Sequence, residues 1–195
     1  MKFIAGLFLA FLSASQVGLA QQETRTVYLI RHAEAASTAP DAALTPSGEK
    51  RANCLATMLK QAGIRQIFVT DAKRTQQTAA PLAAALKITP TVVPAKDPNT
   101  LIKDILYSGG GNILVVGHSD TLPFIVARLK AGATASFGET EYDRLLITTV
   151  IEGGATQAST LRYCNCEAGA NTPAPRPATT PAGKTGKKTP TQKKP

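Results

Sequence analysis

The hydrophobic and polar positions between residues 26 and 162 form short apolar runs that alternate with longer amphipathic segments. The short runs are typical of buried strands and cover residues 26–30, 66–70, 91–93, 112–116, 145–151 and 156–162. The longer segments predict helices over residues 46–61, 75–86, 100–107 and 122–129. Because strands and helices alternate at this spacing, the pattern predicts a three-layer α/β/α sandwich with a mostly parallel central sheet.

Proline, glycine and small polar residues predict several boundaries of these elements. Pro46 lies in the first turn of the first helix, directly after the capping candidate Thr45. Pro81 interrupts the second helix and is expected to kink it. Asn99 or Thr100 is expected to cap the third helix.

The first twenty residues differ in composition from the rest of the chain. Lys2 precedes an apolar run over residues 3–12, and Gly18 and Ala20 place small residues at the two positions that a signal peptidase reads. The run is too short to span a bilayer, which requires roughly 20 apolar residues. The sequence therefore predicts a cleaved signal peptide over residues 1–20 and a periplasmic or secreted protein.

The positive charge of the chain is concentrated at its C-terminal end. The formal net charge is +9, yet residues 21–170 contain 15 basic and 13 acidic side chains, whereas residues 171–195 contain six basic and no acidic ones. A nearly neutral body without tryptophan is not expected to bind nucleic acid. The Pro-, Lys- and Thr-rich segment 171–195 is predicted to be a disordered tail. It either has no role or contacts an anionic membrane or cell-envelope polymer.

The three cysteines leave two arrangements open. Cys54 lies in the first predicted helix, and Cys164 and Cys166 follow the last predicted strand. An oxidising compartment permits a bridge from Cys54 to either of the other two, and three unpaired thiols are the alternative. A bridge between Cys164 and Cys166 would be strained.

Candidate chemistry lies where the predicted strands end. His32 and His118, the two histidines of the chain, follow the first and fourth strands, and Arg31 and Arg74 lie beside the ends of the first and second. Because the carboxyl ends of parallel strands meet at one edge of a sheet, we expect these side chains to converge. Guanidinium groups and helix N-termini bind phosphate oxygens, and an imidazole can attack phosphorus. The sequence therefore predicts an anion site, and the two arginines disfavour a metal held by the histidines.

Four segments resemble motifs of the histidine phosphatase superfamily, in the branch that includes cofactor-dependent phosphoglycerate mutase. They are Leu-Ile-Arg-His-Ala-Glu at 29–34, with alanine where the family has glycine, Leu-Thr-Pro-Ser-Gly-Glu at 44–49, Thr-Asp-Ala-Lys-Arg-Thr-Gln-Gln-Thr-Ala at 70–79 and Val-Val-Gly-His-Ser at 115–119. Tyr142 and Asp143 also resemble the family pattern. The resemblance extends over residues 26–150 and implies a phosphoglycerate mutase-like fold for the domain at 21–170.

The resemblance also implies a role for each motif residue. His32 would be the nucleophile that accepts the phosphoryl group, and Arg31 and Arg74 would bind its oxygens. His118 would donate a hydrogen bond to the transferring group, with Ser119 beside it in the phosphate-binding set. No metal and no cofactor are required.

The proton donor for the leaving group is less defined by the sequence. Asp120, two residues after His118, and Asp97 are the candidates, and Glu34 is a third. In the family the acid often comes from an insertion, but the corresponding stretch 86–112 is short and lacks the usual acidic signature. Without a strong acid, labile groups such as phosphohistidine become better substrates.

Together these features predict an exported phosphatase that hydrolyses phosphomonoesters or phosphohistidine-type groups through a phosphohistidine on His32. Its partner would be a phosphorylated small molecule, envelope glycan or phosphoprotein. The alternative is a non-catalytic phosphate- or polyanion-binding module with the same fold. The intact set of two arginines and two histidines favours the enzyme, because a module that only binds has no need of a nucleophile.

Overall fold

The computed structural model describes residues 24–107, 109–131, 136–151, 154–155 and 158–164. The predicted signal peptide at 1–20, the tail at 171–195 and Cys166 lie outside these ranges. Within the described ranges, no helix is both long and apolar enough to cross a membrane.

Seven strands and four helices make up the described part of the chain. The strands are β1 (Arg25–Arg31), β2 (Ile64–Thr70), β3 (Thr91–Val93), β4 (Asn112–Gly117), β5 (Arg144–Ile151), β6 (Gly154–Ala155) and β7 (Ser159–Arg162). The helices are α1 (Pro46–Leu59), α2 (Lys73–Leu86), α3 (Pro98–Tyr107) and α4 (Thr121–Arg128).

The strands form one sheet in the order β3-β2-β4-β1-β5-β6, with β7 also paired to β5. The four strands from β3 to β1 are parallel, whereas β5 runs antiparallel to β1 and to both β6 and β7. The predicted α/β class is confirmed. The predicted last strand is confirmed over residues 159–162 as β7. The two-residue β6 is an additional strand, so β5 pairs with β6 near one end and with β7 near the other.

Apolar side chains alternate between the two faces of the sheet, as the two-residue period of a strand requires. Leu29 packs on one face with Leu101 of α3 and Ile125 of α4. Ile30 packs on the other face with Leu55 of α1, in a cluster that also contains residues of α2. Helices therefore cover both faces, and the loops at the carboxyl ends of the parallel strands meet at one edge.

The first helix begins as predicted and the third does not. The hydroxyl of Thr45 accepts a hydrogen bond from the Gly48 N–H at 3.1 Å, which caps α1. At α3, the carboxylate of Asp97 accepts hydrogen bonds from the N–H of Thr100 at 3.2 Å and from its hydroxyl at 2.6 Å. Asp97 is thus the residue that caps α3, because its two oxygens satisfy donors of the first turn.

A disulfide joins Cys54 of α1 to Cys164, just after β7, with Cα atoms 5.9 Å apart. It closes a sequence separation of 110 residues. Next to it, the Arg51 guanidinium donates a hydrogen bond to the Cys164 carbonyl at 2.8 Å. This pairing decides between the arrangements that the sequence left open, and it fixes the last described strand to the first helix.

Candidate active site

The two histidines lie side by side at the carboxyl end of the parallel sheet. Strands β1 and β4 pair so that Arg31 is opposite Gly117, and His32 and His118 are the next residue on each strand. The His32 N–H donates to the Gly117 carbonyl at 2.9 Å, which extends the pairing into the site. The centroids of the two rings are 5.4 Å apart.

A cavity of about 490 Å³ opens at this edge of the sheet. Six of the predicted site residues line it, namely Arg31, His32, Arg74, His118, Ser119 and Asp120. Asp97 does not line this cavity. The structure therefore brings together the predicted nucleophile, its phosphate-binding partners and one of the candidate acids.

Arg31 is held on the β5 side of the cavity. One terminal nitrogen, Nη1, donates to the carbonyls of Gly138 at 2.7 Å and Glu139 at 2.6 Å. Its Cζ lies 4.4 Å from the centroid of the Tyr142 ring, a cation–π contact. The guanidinium is thus fixed in place by the hydrogen bonds of Nη1 and by the Tyr142 ring.

Arg74 is held in a similar way at the start of α2. Its Nη1 donates to the Ala39 carbonyl at 2.8 Å, and its Nη2 lies 3.4 Å from Nδ1 of His118. The buried Nε atoms of both Arg31 and Arg74 have no hydrogen-bond partner among the described residues. Buried donors without a protein partner are unusual in folded proteins.

His32 is held in the form that can act as a nucleophile. Its Nδ1 lies 2.7 Å from the Ala33 carbonyl, which can only accept, so Nδ1 carries the proton and Nε2 the free lone pair. Burial lowers the pKa of His32 to about 4, and the charges of Arg74, His118 and Arg31 act in the same direction against the raising effect of the Ala33 bond. At neutral pH the ring is therefore uncharged, and Nε2 can attack an electrophile.

His118 is held from behind by Thr70, the last residue of β2. Nε2 of His118 lies 2.9 Å from the Thr70 hydroxyl. Burial and the charge of Arg74 lower the pKa of His118, and Asp120 opposes the shift. The opposite nitrogen, Nδ1, lies towards Arg74.

The low pKa of His32 predicts a loss of stability in mild acid. The unfolded chain binds a proton at His32 below its usual pKa of 6.5, whereas the folded protein does so only near pH 4. The contribution of His32 to the free energy of unfolding should therefore fall by about 3 kcal/mol as the pH drops from 6.5 to 4. Urea titrations across this range, with the protein and its His32→Asn variant, measure the effect. The variant should show a flatter dependence, and parallel curves would contradict the shift.

The three candidate acids differ in their surroundings. Burial alone would raise the pKa of Glu34, but the hydrogen bonds and charge of Arg51 hold it below the usual value. The Arg51 nitrogens approach Glu34 to 2.6 Å, and Glu34 lines a neighbouring cavity of about 530 Å³ instead. The pKa of Asp97 is lowered by its hydrogen bonds to Thr100. Asp120 lines the cavity and accepts a hydrogen bond from the Thr121 N–H at 2.8 Å.

Thr70 and Lys96 are among the site residues that the sequence interpretation missed. Thr70 touches His118 and could have been found from its position at the end of β2. Lys96 lines the cavity after β3, where an exposed lysine gives no recognisable signal in the sequence. No cluster of three or more His, Cys, Asp or Glu side chains suited to a metal ion occurs among the described residues.

Residues 27–95, which include Arg31, His32 and Arg74, match the sequence profile of the histidine phosphatase superfamily (branch 1). No curated protein matches the chain.

Solved structures show the same fold. The protein histidine phosphatase SixA in complex with tungstate is 23% identical with a TM-score of 0.61, covering 73% of this chain and 99% of that one. Phosphoglycerate mutase from Bacillus anthracis is 16% identical with a TM-score of 0.58, covering 70% and 92%. A mycobacterial glucosyl-3-phosphoglycerate phosphatase is 12% identical with a TM-score of 0.55, covering 72% and 99%. The profile match over residues 27–95 confirms the resemblance to the histidine phosphatase superfamily that the motifs indicated, and the solved structures show that the described chain has a phosphoglycerate mutase-like fold.

Proposed function

We propose that the protein is a metal-independent phosphatase that hydrolyses phosphomonoesters or phosphohistidine-type groups through a phosphohistidine on His32. The observation that carries the proposal is the state of the His32 ring. Its Nδ1 proton is bound by the Ala33 carbonyl, so an unprotonated Nε2 is left beside a cavity that two guanidinium groups flank. A lone pair held among fixed cations suits attack on an anionic phosphoryl group.

The first chemical step forms a bond from Nε2 of His32 to phosphorus and breaks the bond from phosphorus to the leaving group. Arg31 and Arg74 bind the phosphoryl oxygens, whose charge must be stabilised in the transition state. Asp120 gives its proton to the departing oxygen or nitrogen. The products are the phosphohistidine, the free alcohol or amine, and the Asp120 carboxylate.

The second step returns the enzyme to its starting state. A water attacks phosphorus while the Asp120 carboxylate takes one of its protons. The phosphorus–nitrogen bond breaks, inorganic phosphate leaves, and Nε2 of His32 regains its lone pair. Asp120 is then protonated for the next cycle.

The loops around the cavity favour a broad range of substrates. Between β3 and β4 the described chain contains only the ten-residue helix α3, which leaves little material for a cap. A phosphorylated small molecule, an envelope glycan or a phosphoprotein could therefore reach His32. The likeness to SixA, a protein histidine phosphatase, supports phosphohistidine as one substrate class.

We further propose that the protein acts outside the cytoplasm, in the periplasm or as a secreted protein. The disulfide between Cys54 and Cys164 supports an oxidising compartment. The predicted signal peptide at 1–20 agrees with this, and the basic tail at 171–195 would contact an anionic membrane or polymer by charge.

The proposed function is tested by trapping the intermediate. The purified protein is mixed with an activated aryl phosphate labelled at phosphorus, in the presence of a chelator, and quenched in alkaline denaturant, which preserves a phosphorus–nitrogen bond. Turnover with label on His32 supports the proposal. A folded protein that binds phosphate without turnover or label would instead support the binding module.

Replacing Asp120 by asparagine should separate substrates by their leaving groups. An alkyl phosphate needs a proton on its leaving oxygen, so its kcat/KM should fall about 100-fold or more, whereas an activated aryl phosphate should lose only a few-fold. Asp97→Asn is the matched control, because its carboxylate caps α3 outside the cavity. Equal losses on both esters, or the same pattern from Asp97→Asn, would remove Asp120 from the role of acid.

A further inference from the structure

We propose that Thr70 is a positioning residue that keeps a proton on Nε2 of His118, so that the nitrogen facing Arg74 is the one that gains and loses a proton. The inference rests on the proposed function for its catalytic meaning, but its structural content concerns the resting protein alone. Thr70 is 6% exposed and lies at the end of β2, directly behind the His118 ring.

The direction of the hydrogen bonds follows from counting protons. The hydroxyl of Thr75, which is fully buried, lies 2.7 Å from the Ala72 carbonyl and 2.9 Å from the Thr70 hydroxyl. The Thr75 hydroxyl also lies 3.1 Å from the Thr70 carbonyl. A hydroxyl has one proton and a carbonyl can only accept, so Thr75 donates to these carbonyls, the nearer of which is Ala72. If Thr75 donated to the Thr70 hydroxyl instead, the Thr75 and Ala72 oxygens would lie 2.7 Å apart with no hydrogen between them.

The remaining bonds are then determined. Thr70 must donate its single proton to Thr75, because the Thr75 proton is already used. The Thr70 oxygen can therefore only accept from Nε2 of His118, 2.9 Å away. His118 carries a proton on Nε2 in both its neutral and its charged form.

The consequence for catalysis appears at the opposite nitrogen. In the neutral ring Nδ1 has a lone pair, towards which Nη2 of Arg74 lies at 3.4 Å. Once protonated, Nδ1 becomes a donor that can bind a phosphoryl oxygen. The charged groups that act on His118 are Arg74 and Arg31, which disfavour protonation, and Asp120 and Asp71, which favour it. A phosphoryl dianion adds negative charge, so its binding should be accompanied by uptake of a proton at Nδ1.

The two neighbouring histidines therefore have opposite tautomers. The Ala33 carbonyl keeps the proton of His32 on Nδ1 and leaves Nε2 as an acceptor. Thr70 keeps the proton of His118 on Nε2 and leaves Nδ1 to titrate. One ring is prepared to attack phosphorus and the other to donate to its oxygens.

The resting protein, labelled with ¹⁵N in its imidazoles, allows a direct test by NMR at neutral pH. The expected result is a proton on Nε2 of His118 and on Nδ1 of His32. A His118 ring with its proton on Nδ1 overturns the proposal. Because this measurement needs no substrate, it separates failure of this inference from failure of the proposed function.

Variants at position 70 test the catalytic consequence. Thr70→Val removes the acceptor, so the charged His118 ring loses a buried hydrogen-bond partner. The kcat/KM on an aryl phosphate should fall about 10- to 100-fold. The basic limb of the pH profile of kcat/KM should move to lower pH, because the charged ring is less stable. Thr70→Ser should restore both. Thr148→Val is the matched control, because Thr148 is a buried threonine of β5 that does not line the cavity.

The variants also distinguish positioning from packing. Loss of activity in Thr70→Val with an unchanged pH profile and an unchanged His118 tautomer overturns the proposal, since a merely structural role predicts that result. If Thr70→Val does not fold, the comparison of Thr70→Ser with the parent, together with the NMR measurement on the parent, decides the question.

Discussion

Replacement of His32 by alanine is expected to lower turnover on the order of 10⁵-fold and to remove all label from the trapped protein. The substitution takes away the proposed nucleophilic atom, while Arg31 and Arg74, the proposed phosphate-binding residues, keep their loop carbonyl partners. Phosphate binding should therefore persist. The measurements are initial rates on an aryl phosphate, the trapped label and a phosphate titration, each on parent and variant.

His118→Ala provides the comparison that gives this result its meaning. In the proposed mechanism this ring stabilises charge without bonding to phosphorus, so its loss should slow phosphoenzyme formation by about 10²- to 10³-fold without abolishing it. Hydrolysis by His32→Ala at the parent rate would disprove the nucleophile assignment. A parent without turnover whose phosphate affinity is unaffected by His32→Ala would favour the binding module.

Removal of the disulfide is expected to have the largest effect on stability. Cys54→Ser and Cys164→Ser each delete a link across 110 residues, which corresponds to about 4 to 5 kcal/mol in the chain-entropy model. Each single variant and the double variant should lose the same amount, because all three remove one bond. Denaturant titrations measure the loss, and reductant should lower the stability of the parent to that of the variants.

The third cysteine supplies the control for this experiment. The Cys166→Ser variant should have the same free energy of unfolding as the parent and one thiol fewer. Equal destabilisation by Cys54→Ser and Cys166→Ser, with Cys164→Ser unaffected, would contradict the observed pairing. The variants also bear on the site, because Arg51 donates both to the Cys164 carbonyl and to Glu34, two residues after His32.

The parallel core and its site residues could be predicted because their signals are local. An apolar run that ends just before His32 or His118 indicates a buried strand with the histidine at its carboxyl end. Because the strands are parallel, both histidines are expected at the same edge of the sheet. The profile match and the fold agree with this part of the interpretation.

Most of the features that the sequence did not reveal depend on contacts between residues distant in sequence. The partner of Cys54 is set by where the segment after β7 lies against α1, which no spacing of cysteines reveals. Glu34 is paired with Arg51 across 17 positions, so its carboxylate could not be excluded as the acid from sequence alone. The cap at Asp97 was missed for a local reason, since Pro98 starts α3 earlier than the apolar pattern does.

The pairing of β1 with β4 has a consequence for how the proposed site is assembled during folding. The residues that join in this ladder, such as Val27 with Ile113, are distant in sequence, and two other strands and three helices lie between them. Closing such a loop is entropically costly, and folds with many non-local pairings form slowly. Because the β1–β4 pairing brings His32 and His118 together, a chain that has formed its helices but not this ladder lacks the proposed site. Assembly of the site therefore depends on a long-range pairing and not on helix formation alone.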